Sequence, residues 1–178
     1  MDPIAILKMY YTEGTPLYNT LLTHSRKVAD KAIALAKNKP ELNLDMEFVE
    51  QAALLHDLGI YECNAPEIHC VGDRHYLEHG VVGAELLREL GYDKHALVCE
   101  RHTGTGLSLE QIKRGSLPLP LRDMLPMSLE EKLVCFADKF FSKSNPTKER
   151  SLEAVRRSTA RFGEESIRRL EEMITLFM

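Results

Sequence analysis

Several histidines and aspartates of this chain stand where an apolar helical stretch begins or ends, which is where a polar side chain can reach the interior of a helical protein. They are His24, the adjacent pair His56 and Asp57, His79, His102 and Asp138. Neutral imidazole nitrogens and carboxylate oxygens are both good ligands of divalent transition metals. Taken singly, such histidines are more often structural than ligating, but together the set indicates a metal site.

Asp57 and Asp138 are the strongest indication of a metal site, because each follows a run of apolar residues. Asp57 comes after Ala-Ala-Leu-Leu-His, and Asp138 after Leu-Val-Cys-Phe-Ala. An unpaired buried carboxylate is costly, and a nearby cation is the usual compensation. Removing the charge of Asp57 is therefore expected to leave the metal-free protein at least as stable as before. Spacing alone leaves a second interpretation open, in which Asp57 caps a turn and Asp138 pairs with Lys139 or Arg101.

The elements that must position these residues are predicted to be helices throughout. Apolar residues recur with the 3.6-residue period of an amphipathic helix, stop signals such as Pro40, Gly59 and Gly91 follow, and capping boxes begin at Ser108 and Ser128. The predicted helices span residues 19–37, 45–57, 79–90, 94–102, 108–115, 128–140, 147–161 and 164–177, with loops at 61–76 and 116–126. No strand pattern is convincing. We predict an all-α fold, a single-domain helical bundle of about eight or nine helices.

Composition and charge narrow the classes of partner. The chain has 178 residues, of which 44% are hydrophobic and 28% charged, as is ordinary for one globular domain. Its net charge of −4 argues against nucleic acid as a bulk electrostatic partner, but not against a small anionic ligand. No apolar run is long enough to span a bilayer and the first residues do not form a signal peptide, so we expect a cytoplasmic protein with no membrane partner. The four cysteines form no C-x-x-C pair and are expected to be free thiols.

Taken in order, the histidine and aspartate motifs resemble those of the HD superfamily of metal-dependent phosphohydrolases, and most of all its small stand-alone proteins of the HDIG type. The resemblance rests on His24, Leu-Leu-His56-Asp57-Leu-Gly-Ile60, His79-Gly-Val-Val-Gly-Ala-Glu-Leu-Leu, Glu-Arg-His102 and Phe-Ala-Asp138-Lys139. It implies one HD-type domain over residues 1–178, with the core motifs in 23–143 and a C-terminal helical pair in 147–177.

The resemblance also implies which residues bind metal. His24, His56, Asp57 and Asp138 match the ligands of a first ion, and His79 and His102 match the additional ligands of binuclear members, in which Asp57 would bridge both ions. We therefore expect one or two divalent transition-metal ions. Iron or manganese is favoured by the resemblance, and zinc, cobalt, nickel and magnesium stay open.

The activity that the resemblance implies is hydrolysis of a phosphate ester or anhydride in a small, nucleotide-like molecule by a metal-bridging hydroxide. Members of similar size hydrolyse diadenosine tetraphosphate or nucleoside monophosphates, and no motif selects between them. The HD-GYP branch, which cleaves cyclic dinucleotides, has a second histidine where this chain has Thr103-Gly104, and this difference disfavours that activity. The alternative from another class is a non-catalytic, metal-containing nucleotide sensor or interaction module.

Cationic side chains near these motifs are candidates for neutralising phosphate oxygens in the transition state. Lys139 and Arg101, each beside a candidate ligand, are predicted to act with Asp57 in catalysis. Lys27, Arg74, Arg122 and Lys143 are predicted as substrate-binding residues. A surface salt bridge is the competing interpretation for each of them.

Three further histidines, His69, His75 and His95, match no position of the pattern. His69 and His75 lie in the loop at 61–76, close in sequence to the motifs. We expect these two to be solvated loop residues.

Overall fold

The computed structural model describes residues 1–178, which form nine α-helices. In chain order they are α1 Pro3–Tyr10, α2 Pro16–Lys37, α3 Met46–Leu55, α4 His79–Glu89, α5 Asp93–Arg101, α6 Leu109–Arg114, α7 Leu129–Asp138, α8 Leu152–Thr159 and α9 Glu164–Phe177. Short 3-10 helices fill several connections, among them Leu58–Glu62 after α3 and Tyr76–Glu78 before α4. The predicted all-α class is confirmed. None of the helices has both the length and the apolar character that a bilayer crossing requires.

Helix starts and stops largely follow local signals in the sequence. The side chains of Asp45, Ser108 and Ser128 accept hydrogen bonds from the first-turn N–H groups of α3, α6 and α7. The last two form the predicted capping boxes with Gln111 and Glu131. After α4 the chain passes through a left-handed residue at Gly91, with φ of +81°. These signals set one end each of α3, α4 and α7, and candidate ligands lie at the opposite ends of the same helices.

The first helical region extends further towards the N-terminus than predicted. The sequence predicts no helix before residue 19, whereas α1 is helical and α2 begins at Pro16. Asp2 caps α1 and Thr15 caps α2, each directly followed by proline in the first helical position. Since an isolated helix of two turns is unstable, α1 owes its stability to the burial of Ile6 and Leu7.

Two later boundaries also differ from the prediction. The helix predicted at 128–140 ends at Asp138, and the one predicted at 147–161 is α8 followed by a 3-10 helix, Ala160–Phe162. Arg150 accounts for the late start of α8, because its N–H donates to the carbonyl of Phe140 at 2.8 Å and its guanidinium to the carbonyl of Lys139 at 3.3 Å. These bonds hold Arg150 outside the helix, and the side chain of Ser151 then caps α8 by accepting from the N–H of Ala154 at 3.2 Å.

The loop predicted at 61–76 contains short regular structure. It includes an antiparallel ribbon of β1 Asn64–Ala65 and β2 Cys70–Val71, the only sheet in the protein. Each strand has only two residues, which is too short for the period-2 pattern that predicts strands from sequence. The cysteines Cys63, Cys70, Cys99 and Cys135 are buried and free, so the expectation of free thiols is confirmed.

The two largest of three apolar clusters fill most of the interior and adjoin the candidate ligands. The larger packs α2, α3 and α7–α9, with the rings of Phe136 and Phe177 stacked 6.1 Å apart. The second packs α1, the first half of α2, α4 and α5. On α2, His24 lies between Leu21 of the second cluster and Val28 of the first. The polar residues therefore occupy a boundary inside an otherwise apolar interior.

Glycines allow α4 to pack tightly against its neighbours. A Cβ atom on Gly59 would overlap the carbonyl oxygen of His79 and the amide nitrogen of Gly83. A Cβ atom on Gly80 would overlap the carbonyl oxygen of Cys99. Since these obstacles are backbone atoms, no side-chain rotation relieves them, and the close approach of the two segments requires glycine.

We expect Gly59→Ala to lower the free energy of unfolding by about 3 kcal/mol, the upper end of the usual cost of overpacking, because it forces α4 away from residues 58–62. The measurement is urea denaturation followed by circular dichroism. Gly115→Ala is the matched control, since its Cβ would mainly meet the side chain of Leu117, at 3.0 Å, and its φ of −83° suits alanine. Equal losses in the two variants would contradict this account of Gly59.

Candidate metal centre

The six candidate ligands are brought together from five helices. His24 lies within α2, His56 and Asp57 directly follow α3, His79 is the first residue of α4, His102 directly follows α5, and Asp138 is the last residue of α7. Five of them are buried, and Asp138 is 13% exposed. The packing of these helices thus brings residues that are far apart in sequence to one interior point.

The Asp57 carboxylate lies at the centre of the cluster, and each of its two oxygens faces a different pair of histidines. Each oxygen with its pair of histidines forms one half of the cluster. Its Oδ2 is 3.2 Å from His24 Nε2 and 3.0 Å from His56 Nε2. Its Oδ1 is 3.3 Å from His79 Nε2 and 3.4 Å from His102 Nε2. The four histidines therefore divide into the two groups that the resemblance implies for a first and a second ion.

Asp138 joins the half that contains His24 and His56. Its Oδ1 is 3.1 Å from His24 Nε2 and 3.5 Å from His56 Nε2, while its Oδ2 is 2.9 Å from Lys139 Nζ. The pairing with Lys139 that the sequence left open is thus present, but it uses the other oxygen. The salt bridge and a ligand role for Asp138 are compatible.

Three of the four histidines orient their rings through the same local bond. The Nδ1 atoms of His56, His79 and His102 lie 2.6–2.7 Å from the carbonyl oxygens of Ala53, Tyr76 and Cys99, each three residues earlier. Because a carbonyl oxygen only accepts, each Nδ1 carries a proton, and in the neutral ring each Nε2 presents a lone pair to the cluster. This is the arrangement by which metal-binding histidines are usually held.

The nitrogen and oxygen atoms of the cluster face one another with lone pairs, which repel one another and attract cations. The Nε2 atoms of His79 and His102 are 3.1 Å apart, although neither has a proton to share. Asp57 Oδ1 is buried and receives no hydrogen bond, although it lies 3.3 and 3.4 Å from the Nε2 atoms of the same two histidines. Lone pairs crowded in this way are costly unless a cation lies between them, so the residues fit divalent metal ions.

Burial and charge act on the ring pKa values in opposite directions. Burial lowers the pKa of His79 to about 3 and also lowers the pKa of His102, which keeps both rings in the neutral form that binds metal. Burial also acts to lower the pKa of His56, but the charges of Asp57 and Asp138 outweigh it and raise that pKa to about 9. The negative charge around His56 therefore favours a cation there.

Lys143 is the cation in closest contact with Asp57. Its Nζ lies 2.7 Å from Asp57 Oδ2 and 5.5 Å from the centre of the Tyr76 ring. Burial acts to raise the pKa of the Asp57 carboxyl, but His56 and Lys143 outweigh it and hold that pKa well below its usual range. Asp57 is therefore ionised in this arrangement.

Three of the predicted cationic residues pair with carboxylates outside the cluster. The pairs are Arg101 with Glu131 at 2.9 Å, Arg74 with Glu62 at 2.9 Å, and Arg122 with Glu100. The side chains of Arg74 and Arg122 are 46% and 53% exposed. These guanidinium groups form salt bridges, as the competing interpretation of the sequence has it, and their partners lie outside the cluster. Lys27 lies half-buried on α2, one turn after His24.

The three histidines outside the motif pattern have other surroundings. His69 and His75 are exposed, as expected, and His75 accepts a hydrogen bond from the N–H of Leu77 at the start of a 3-10 helix. His95 packs edge-on against the ring of Phe48, 4.7 Å away. None of the three belongs to the cluster.

Tyr76 belongs to the surroundings of the site and is missed by the sequence analysis. Its carbonyl accepts from His79 Nδ1 at 2.6 Å, and its ring stacks on the His79 imidazole at 4.8 Å. The signal that points to it is its position three residues before a candidate ligand, a spacing that recurs at Ala53 and Cys99.

Because the cluster divides at Asp57, we expect the wild-type protein to bind two ions and His79→Ala to bind one, since the ligands of the other half remain. The measurement is elemental analysis of protein reconstituted with manganese, with circular dichroism to check the fold. His95→Ala, a change outside the cluster, is the control and should retain both ions. Simultaneous loss of both ions from folded His79→Ala would contradict the division.

Comparison with known proteins identifies relatives of this chain. The family model described as HD domain matches residues 21–142. An uncharacterized protein of Methanocaldococcus jannaschii is 42% identical over 138 residues, which cover 76% of this chain and 70% of that protein. Proteins named tRNA (cytidine(56)-2'-O)-methyltransferase from Thermoplasma volcanium and Picrophilus torridus are both 32% identical, over 142 and 123 residues. These matches cover 79% and 68% of this chain, but the chain spans only 37% and 31% of the two methyltransferase-named proteins. No solved structure matches.

The family match includes the whole cluster. All six candidate ligands, from His24 to Asp138, lie within residues 21–142, and this range is more than half of the chain. The chain therefore belongs to the HD domain family, of which metal-dependent phosphohydrolases are typical.

Proposed function

We propose that the protein is a metal-dependent phosphohydrolase acting on a phosphate ester or anhydride of a small, nucleotide-like molecule. The observation that carries the proposal is the division of a buried cluster around one carboxylate, whose two oxygens each face a separate pair of imidazole nitrogens. A structural helical protein has no need of such an arrangement. Hydrolysis at phosphorus can use it, because two ions can stabilise both the attacking and the leaving oxygen.

In this proposal the two halves of the cluster hold one ion each. His24, His56, Asp138 and Asp57 Oδ2 would hold the first, and His79, His102 and Asp57 Oδ1 the second. Divalent ions supply a lowered pKa for water and stabilisation of negative charge on phosphate oxygens. The mixed nitrogen and oxygen ligands suit iron or manganese, and by type also zinc, cobalt and nickel.

Charge balance favours a polyanionic substrate. Asp57 and Asp138 contribute two negative charges and Lys139 and Lys143 two positive charges, so the cluster is neutral when its histidines are neutral, as metal ligands must be. Two divalent ions add a charge of +4 that these residues do not offset. Phosphate groups of the substrate provide the missing negative charge.

Lys139 and Lys143 are the side chains best placed to bind substrate oxygens. Their ammonium groups lie 2.9 Å and 2.7 Å from the two candidate ligand carboxylates, which puts them within reach of a phosphate bound at the same cluster. Both side chains are largely buried, with exposed fractions of 14% and 11%. Limited solvent strengthens their interaction with developing negative charge.

A second candidate function places the phosphate on tRNA or on a nucleotide derived from it. Two relatives with a similar region are longer proteins named as tRNA methyltransferases. In each of them the similar region is therefore part of a polypeptide that is named for an activity on tRNA. The net charge of −4 opposes a broad RNA-binding surface, which makes a terminal phosphate or a released nucleotide the better fit.

A substrate panel tests these proposals on protein loaded with manganese or, anaerobically, with ferrous iron. The panel contains nucleoside 5′-monophosphates, dinucleoside polyphosphates, 2′,3′-cyclic nucleotides and tRNA bearing terminal phosphates. We expect product release by wild-type protein on at least one of these classes. Saturable nucleotide binding without turnover would instead favour the non-catalytic sensor, and neither binding nor turnover by the loaded protein would reject both functions.

A further inference from the structure

The C-terminal helix α9 lies outside the family match at 21–142, yet it is bonded to the segment that follows His102. Arg169 of α9 provides half of the hydrogen bonds between α9 and residues 105–111. Its Nε donates to the carbonyl of Thr105 at 3.0 Å, and its Nη2 donates to the carbonyl of Gly106 at 3.0 Å and to the side-chain oxygen of Gln111 at 2.6 Å. The Arg169 side chain is only 13% exposed, so these bonds are largely shielded from solvent.

The segment held by Arg169 is a tight turn between α5 and α6. Gly104 and Gly106 have φ values of +62° and +84°, in the left-handed region that favours glycine. Thr105 between them is buried, and its hydroxyl donates to the carbonyl of Ser166 on α9 at 3.1 Å. Backbone carbonyls in such a position need donors, which the Arg169 guanidinium provides.

This turn begins immediately after a candidate ligand. The ring of His102 is held from the α5 side by the carbonyl of Cys99 at 2.7 Å, and its own carbonyl accepts from Lys139 Nζ at 3.3 Å. Only two residues separate His102 from Thr105. A displacement of the turn is therefore expected to shift the His102 backbone, and with it the Nε2 atom that lies 3.4 Å from Asp57 Oδ1.

We infer that Arg169 is a positioning residue for the second ion, since it holds the turn after His102 and thereby sets His102 Nε2 against His79 and Asp57. The inference rests on the proposed function, because it requires that half of the cluster to bind metal. His24 and His56 belong to α2 and the end of α3, so loss of Arg169 should affect their ion much less. Loss of Arg169 should therefore weaken the binding of the second ion selectively.

The test uses the full chain and compares Arg169→Ala and Arg169→Lys with a matched control. Arg156→Ala is that control: Arg156 also connects the C-terminal helices, through a two-bond ion pair with Glu171 at 2.7 and 2.8 Å, but it is 45% exposed and does not contact the turn. Each protein is titrated with cobalt(II). Calorimetry gives the affinity of each ion, and the visible absorption spectrum reports its ligand environment.

We expect two binding events in the wild-type protein and in Arg156→Ala. In Arg169→Ala the second affinity should fall by about tenfold or more, the scale seen when partners that orient metal ligands are removed, with an altered spectrum for that ion alone. Arg169→Lys should be intermediate, because an ammonium cannot serve both carbonyls with the fixed fork of a guanidinium.

Wild-type-like binding in Arg169→Ala, or equal weakening of both ions with the helical content retained, would overturn the inference. Should Arg169→Ala fail to fold, Arg169→Lys is judged by the same criterion. Wild-type protein that takes up no ion would overturn the proposed function and this inference with it. Two ions bound without hydrolysis of any substrate would overturn the hydrolase proposal alone, since the selective weakening can still be measured.

Discussion

Asp57→Asn is expected to abolish turnover, lowering kcat by about 10⁴-fold or more on the best substrate found, the scale of loss when a central catalytic group is removed. Asparagine keeps the shape of the side chain but loses the negative charge that faces both halves of the cluster. Single histidine changes disturb one half only, so their effects should be smaller. The measurement is steady-state kinetics with saturating manganese, beside the metal content of each variant.

The control for this change is Asp30→Asn, the same chemical substitution on the exposed face of α2. It should leave kcat and metal content as in the wild-type protein. Near-normal turnover by Asp57→Asn would contradict the bridging role of Asp57 and would favour the non-catalytic sensor.

The stability of metal-free Asp57→Asn is expected to differ from what the sequence predicts. An unpaired buried carboxylate would make the variant at least as stable as the wild type, but Asp57 lies 2.7 Å from Lys143. Removing one partner of a buried ion pair leaves the other uncompensated, which costs about 3 kcal/mol. We therefore expect a lower free energy of unfolding for Asp57→Asn in the presence of a chelator. The double variant with Lys143→Met should recover part of the loss, and independent, additive effects would refute the pairing.

Lys143→Met is expected to lower kcat by about 10²- to 10³-fold, the usual effect of removing one group that stabilises transition-state charge. Methionine keeps much of the length and apolar contact of the lysine stem, so the change chiefly removes the ammonium group. Because Lys143 is not one of the six candidate ligands, both ions should still bind. Kinetics and elemental analysis of the same preparation separate these two effects.

Arg74→Ala and Arg122→Ala are the matched controls for Lys143→Met. Both arginines were candidates for the same role by sequence, but their side chains are about half exposed and pair with Glu62 and Glu100. Glu62 and Glu100 lie outside the cluster, and the buried Glu100 keeps its pair with Arg88 at 2.8 Å when Arg122 is removed, so the activity of these variants should change little. Losses as large as that of Lys143→Met would show that substrate reaches the arginines.

The sequence by itself determined the helical class, many of the helix ends and the identity of the cluster. The helices and their ends depend on interactions within a few residues. Ser108 and Ser128 cap the first turns of the helices that follow them, and Gly91 ends the helix that precedes it. In each case the residue that sets a helix end lies at that end. The candidate ligands were visible for a related reason, since a histidine or aspartate among apolar neighbours is conspicuous in the sequence itself.

Only the tertiary structure decided which cations accompany the cluster and what holds it. Lys143 and Asp57 are 86 residues apart in the chain, and Arg169 reaches Thr105 from a helix beyond the family match. Arg101, although adjacent to His102, points its charge to Glu131 instead. Neighbours in sequence at a helix end can face different directions, whereas residues far apart meet wherever helices pack. Contacts of that kind follow from the packing of the whole bundle and leave no local pattern in the sequence.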